Sequence, residues 1–193
     1  MAIEFELKFR ATPEILQALR NAVAAEEREI AMETTYYDTP ERALSARRYT
    51  LRRRMENGVS VCTLKTPAGA LGRGEYEINC DGIWEAIPEL CKLSGVEELP
   101  SLAADGLVAV CGARFTRIAK TVILQDCTVE LALDQGVLAG GGREIPLCEA
   151  EVELISGSRE AAAAYAAVLA GKFGLQPEKH SKFRRALTLA EGE

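Results

Sequence analysis

Acidic residues recur in this chain at a spacing of two: Glu4 and Glu6, Glu75 and Glu77, then Glu149, Glu151 and Glu153. Arg52 and Arg54 repeat the pattern with positive charge, and Lys65, Arg73, Arg117 and Lys120 are further basic candidates. In a strand, residues i and i+2 project from one face, about 7 Å apart along it. Like charges held so close repel, and a sheet that concentrates them offsets them with opposite charges or with a bound ion. Carboxylates are hard oxygen ligands suited to Mg²⁺ or Mn²⁺, while Arg and Lys clamp phosphate oxygens. If these faces share one lumen, they describe a metal–polyphosphate site. If they face outward, they are solvated salt-bridge ladders around an apolar interior lined by Ile3, Phe5 and Leu7.

The elements that carry these runs are mostly strands. Ile3–Arg10 alternates strictly, and similar alternation recurs in Tyr49–Met55, Val59–Thr66, Glu75–Cys80, Thr116–Gln125, Thr128–Asp134 and Leu147–Ile155. Helices are predicted over Pro13–Ala25, after a Thr12 cap, and over Arg159–Phe173, closed by Gly174. Weaker helical signals cover Gly82–Leu93, Leu102–Cys111 and Ser181–Leu189. The Gly140–Gly142 run reads as a hairpin turn. Seven or eight strands, mostly joined in sequence, predict an α+β domain over residues 1–193 whose antiparallel sheet curls into a barrel with helices packed outside.

Composition narrows the function. With 23 basic against 29 acidic residues the formal charge is −6, which opposes a nucleic-acid polymer or an anionic membrane as partner. No apolar stretch is long enough to span a bilayer, and Glu4 and Glu6 stand where a signal peptide would be basic and then apolar, so a cytoplasmic protein is expected. Six cysteines without a C-x-x-C pair read as small core residues, and the single histidine, His180, excludes His-based metal sites and triads. The Gly69–Gly74 segment precedes a strand and lacks the Lys of a phosphate-binding loop, so it reads as a strand connection. Trp84 and the Ala161–Ala170 stripe are expected on the barrel exterior, where they would also suit a dimer contact.

Glu4-Phe5-Glu6-Leu7-Lys8 resembles the E-x-E-x-K signature of the CYTH family, the triphosphate tunnel metalloenzymes. The likeness continues in order through Tyr36-Tyr37-Asp38-Thr39-Pro40, Leu51-Arg52-Arg53-Arg54, Thr63-Leu64-Lys65, Glu75-Tyr76-Glu77, Phe115-Thr116-Arg117, Leu133-Asp134, Glu149-Ala150-Glu151-Val152-Glu153 and Ser181-Lys182-Phe183. The resemblance implies a closed eight-stranded antiparallel barrel whose charged faces line a tunnel. It implies Glu4, Glu6, Glu149 and Glu151 as ligands of Mg²⁺ or Mn²⁺, with Glu153 at the edge of that set. It implies Lys8, Arg52, Arg54, Lys65, Arg117 and Lys182 as the triphosphate cradle, and Glu75, Glu77 and Asp134 as groups that orient it or bind water or a second metal. Glu6, Lys8, Lys65 and Glu151 are thereby the expected catalytic residues.

The activity implied is hydrolysis of inorganic tripolyphosphate to pyrophosphate and phosphate, by a monomer or homodimer, without the helical CHAD domain that such bacterial triphosphatases often carry. Class IV adenylate cyclase and thiamine triphosphatase share the same tunnel. A module that binds polyphosphate or nucleotide without turnover is the alternative from another class.

Overall fold

The computed structural model describes residues 5–67 and 73–192. Its nine strands are β1 (Glu6–Arg10), β2 (Glu27–Asp38), β3 (Thr50–Glu56), β4 (Val59–Pro67), β5 (Arg73–Asn79), β6 (Val108–Ile123), β7 (Cys127–Gly140), β8 (Arg143–Gly157) and β9 (Gln176–Pro177). They form one antiparallel sheet in the order β5-β4-β3-β2-β6-β7-β8-β1-β9. The closed eight-stranded barrel is therefore overturned: the sheet has nine strands and, among the described residues, β5 and β9 are open edges. Closure needs the two edges to exchange backbone hydrogen bonds. Here the outer edge is a two-residue strand, and its Pro177 has no N–H to donate.

Alternation sorts each strand into two faces. The outer face of β1 and β6–β8 carries Phe9, Ile118, Val129, Leu131, Leu133, Ala150 and Val152, which form one core with Leu16 and Leu19 of α1 (Pro13–Ala22) and Ala162, Ala166 and Leu169 of α5 (Arg159–Phe173). Phe5 and Leu7 pack against the same core. A second core covers the outer face of β3–β5: Leu51, Cys62 and Leu64 meet Leu44 of α2 (Ala43–Ala46), Ile83, Ala86, Ile87 and Leu90 of α3 (Ile83–Ser94), and Leu99 and Ala103 of α4 (Leu99–Ala104). The apolar faces thus point outward, under the helices, and the charged faces point inward.

Helix α6 (Lys182–Glu191) departs from the expectation that helices pack outside. Its Ala186 and Leu187 are buried with Ala113, Phe115, Leu138 and Leu147, which lie on the inner face of β6–β8. Gly140 permits this approach, since a Cβ there would overlap the Ala186 carbonyl oxygen. Strand β9 delivers the helix: Gln176 and Pro177 pair with β1, and the Glu178 N–H donates to the Lys8 carbonyl at 2.8 Å, carrying the chain over the sheet edge.

One local expectation fails, and one strand goes unannounced. The stretch Leu102–Cys111 is not one helix, because α4 ends at Ala104 and Gly106 takes a φ of 103°, which breaks the helix and starts β6 at Val108. Strand β2 carries no alternation strong enough to announce it, since it opens on Glu27-Arg28-Glu29. Elsewhere the local signals act as read. Thr12 accepts the Ile15 N–H at 3.4 Å, Gly174 closes α5 with a φ of 67°, and Gly141 and Gly142 turn β7 into β8.

Candidate functional site

The inner face encloses a cavity of about 260 Å³ whose walls come from β1, β2, β3, β4, β5, β6, β8 and the start of α6. One wall is built by β3–β5. Alternation puts Arg52 and Arg54 on the inner face of β3, and the antiparallel register sets Lys65 of β4 directly opposite Glu75 of β5. Arg52 donates to Glu75 at 3.1 Å and to Glu77 at 3.2 Å, and Lys65 lies 3.0 Å from Glu75. Arg54 donates to Thr34 Oγ1 at 3.2 Å and to Glu56 at 3.3 Å. Burial, with the Arg52 and Arg117 charges, lowers the Arg54 pKa. The acidic partners are wetter than the cations they hold: the Glu77 side chain is 46% exposed and that of Arg52 is 10%.

The opposite wall is acidic and drier. Glu6 of β1 faces Glu153 of β8 across the ladder, and Lys8 faces Glu151. Lys8 reaches Glu6 at 3.6 Å. Behind them Asp134, Glu149 and Glu151 bring one oxygen each within 4.8 Å of the others, the one such acidic cluster among the described residues. Three cations already hold it. Lys182, at the first turn of α6, contacts Asp134 at 2.8 Å, Glu151 at 2.5 Å and Glu149. Arg117 grips Asp134 with two hydrogen bonds of 2.7 and 2.8 Å and Glu151 with one of 2.5 Å. Arg185 donates to the second oxygen of Glu149.

The electrostatics separate these carboxylates. Burial and the neighbouring Glu151 charge push Glu6 up to about 8. Burial, offset in part by Lys182, brings Glu149 to about 7. Burial would raise Glu151 too, yet Lys182 and Arg117 hold it well below the usual carboxylate range. Glu6, Glu151 and Glu153 all line the cavity, and together they are the oxygen donor set there that suits a hard divalent cation. Glu149 differs, because it is fully buried behind the wall and does not line the cavity.

Most sequence candidates meet at this cavity: Glu6, Lys8, Arg52, Arg54, Lys65, Glu75, Glu77, Arg117, Glu151, Glu153 and Lys182 line it, and Asp134 and Glu149 lie directly behind. Glu4, the Gly69–Gly72 part of the glycine-rich segment and the Arg73 side chain lie outside the described residues. Lys120 is on the other face. Three residues after Arg117 it has opposite strand parity, and its ammonium donates to the Arg20 and Val23 carbonyls at 2.8 Å, at the end of α1. His180 is exposed in the segment before α6.

Several residues join the site without having been singled out for it. Tyr36, Glu56, Ser181 and Phe183 line the cavity, and Glu130 stands 3.9 Å from Arg117. Arg185 was visible only as a residue one turn beyond Lys182. Asp38 of the Tyr-Tyr-Asp-Thr-Pro segment is structural: it accepts the Thr39, Leu44 and Ser45 N–H groups at 2.8, 2.9 and 3.1 Å and so holds α2 against the sheet.

The CYTH domain model matches residues 2–187. The inorganic triphosphatase of Haemophilus influenzae is 32% identical over 166 residues, covering 82% of this chain and 47% of that protein, so the chain spans about half the length of this relative. Among solved structures, a Hippeastrum protein considered an adenylyl cyclase, with a dominant triphosphatase activity, superposes with a TM-score of 0.70 at 21% identity over 94% of each chain. A candidate adenylate cyclase of Bacillus halodurans gives 0.65 at 18% identity, over 95% of this chain and 96% of its own. At these identities the two structures show a shared fold.

Proposed function

The chain belongs to the CYTH domain family, and from that premise we propose that it hydrolyses a triphosphate with a divalent cation, Mg²⁺ or Mn²⁺. Inorganic tripolyphosphate is the proposed substrate, with pyrophosphate and phosphate as products. The observation that carries this reading is the convergence of Lys8, Arg52, Arg54, Lys65, Arg117 and Lys182 on one small cavity that also presents Glu6, Glu151 and Glu153. A surface rich in buried guanidinium and ammonium groups suits a compact, highly anionic ligand.

In this reading Arg52, Arg54 and Lys65 take phosphate oxygens. Glu75 and Glu77 hold Arg52 and Lys65 in place before the substrate arrives, Glu56 holds Arg54, and these carboxylates turn toward water as phosphate replaces them. Lys8, Arg117 and Lys182 meet the phosphoryl group nearest the acidic wall, and fixed positive charge there stabilises the charge that develops as the bridging P–O bond breaks. Glu6, Glu151 and Glu153 would hold the cation, which when bound would supply charge neutralisation for the phosphate oxygens. Glu6 is better placed than Glu151 to receive the attacking water's proton, because both oxygens of Glu151 are occupied by Lys182 and Arg117. The six free cysteines suit a cytoplasmic protein.

Phosphate release from tripolyphosphate tests the proposal, measured with Mg²⁺, with Mn²⁺, with excess chelator, and for Glu6→Ala. Metal-dependent release that Glu6→Ala abolishes is the expected result, with ATP and thiamine triphosphate giving lower kcat/KM. Binding without release would instead favour a non-catalytic module, and cyclic AMP formation from ATP would favour a cyclase.

A further inference from the structure

The buried floor of the acidic wall is electrically closed. Asp134, Glu149 and Glu151 supply three negative charges, and Arg117, Lys182 and Arg185 supply three positive ones, each in direct contact with the set. The next carboxylates outward each bridge a floor cation and an outer arginine: Glu178 lies 3.6 Å from Arg185 and 3.1 Å from Arg10, and Glu130 lies 3.9 Å from Arg117 and 2.9 Å from Arg28. Arg185 is the cation of the floor that does not line the cavity. It sits one turn after Lys182 on α6 and shares Glu149 with it, one cation on each oxygen, while its other terminal nitrogen lies 3.6 Å from the buried Glu178.

We propose that Arg185 is a positioning residue that neutralises Glu149, so that the Lys182 ammonium and the Arg117 guanidinium are free to receive phosphate, and that Glu149 serves this pair rather than the metal. Without Arg185 the floor carries three negative charges against two positive ones. An incoming polyanion then meets a net negative floor, and more of the Lys182 charge is taken up by the carboxylates it holds. Charge at short range in a dry site is weakly screened, so the missing cation is felt.

The inference rests on the reading that the cavity binds triphosphate. Its test is the affinity of metal-stripped protein for tripolyphosphate, by calorimetry, well below each variant's melting temperature. Arg185→Ala should weaken binding about tenfold, and Arg185→Lys, which keeps the charge, should stay within about threefold of wild type. Glu149→Gln alone should bind as well as wild type or tighter. The decisive variant is Arg185→Ala with Glu149→Gln, whose floor is neutral again at two against two and should regain binding to within about threefold of wild type. With Mg²⁺ present, Arg185→Ala should raise KM more than it lowers kcat. Unchanged binding by Arg185→Ala, or a double variant no better than Arg185→Ala, would overturn the proposal, the second outcome placing Arg185 in direct contact with phosphate. Failure of the wild-type protein to bind tripolyphosphate would sink the triphosphate reading, and this inference with it.

Discussion

The two walls of the cavity use the same ion pairs in opposite ways. On β3–β5 the cations are buried and their partners wet, so the Arg52–Glu77 and Arg54–Glu56 pairs pair a fixed cation with a carboxylate free to turn into solvent. On β1, β7 and β8 the carboxylates Asp134 and Glu149 are the fully buried members, and the cations reach in to them. The first wall is built to exchange partners and the second to keep them. A polyanion can displace Glu77 at low cost, because its half-exposed carboxylate can rehydrate. Nothing that enters can cheaply displace the buried floor, where removing one member strands its opposite charge.

Substitutions should expose that asymmetry. The largest effect is expected from Lys182→Met, which leaves three buried carboxylates with two cations: stability should fall by about 3–5 kcal/mol, and turnover of tripolyphosphate by more than about 100-fold. Urea unfolding and steady-state kinetics read the two losses. Arg52→Ala should spare the fold far more, costing about 1 kcal/mol, while raising KM about 10-fold or more, because its partners Glu75 and Glu77 can rehydrate. Glu77→Gln should be the mildest, within about 0.5 kcal/mol in stability and about twofold in kcat/KM. A Glu77→Gln variant as damaged as Lys182→Met would erase the distinction between the walls.

Protonation gives a further handle. Burial and the neighbouring Glu151 charge push the Glu6 carboxyl from an ordinary 4.5 up to about 8. A carboxyl whose pKa is raised on folding favours the folded state fully below the unfolded value and loses that contribution as pH climbs through the folded one. Thermal melts in chelator should therefore show stability declining between about pH 4.5 and 8, and Glu6→Gln should remove part of the decline. The difference should be a few degrees, since about 1 kcal/mol moves Tm by about 2–4 °C in a chain of this size. Identical pH profiles for both proteins would contradict the assignment.

How much of this was written in the sequence depends on the range of the interaction. Strand parity alone put Glu6 with Lys8, Arg52 with Arg54, and Glu149 with Glu151 and Glu153 on common faces, and the same parity separates Lys120 from Arg117, a consequence visible in the chain but easily passed over. Strand β2 stayed hidden because its charged opening masks the alternation of Ile30, Met32, Thr34 and Tyr36. The open edge at β9 and the inward seat of α6 depend on which strands meet and on Gly140 meeting Ala186, contacts between distant segments that no local pattern encodes. Arg185 illustrates the limit: its place one turn after Lys182 is local, but its partner Glu149 is fixed only by the sheet.

The division of labour between the walls is tested most directly by a crystal structure with Mn²⁺ and tripolyphosphate, the metal located by its anomalous signal. The account predicts Mn²⁺ at Glu6, Glu151 and Glu153, phosphate oxygens on Arg52, Arg54 and Lys65, and Glu149 still held between Lys182 and Arg185. Manganese seated between Asp134 and Glu149, with Lys182 expelled from the floor, would contradict it.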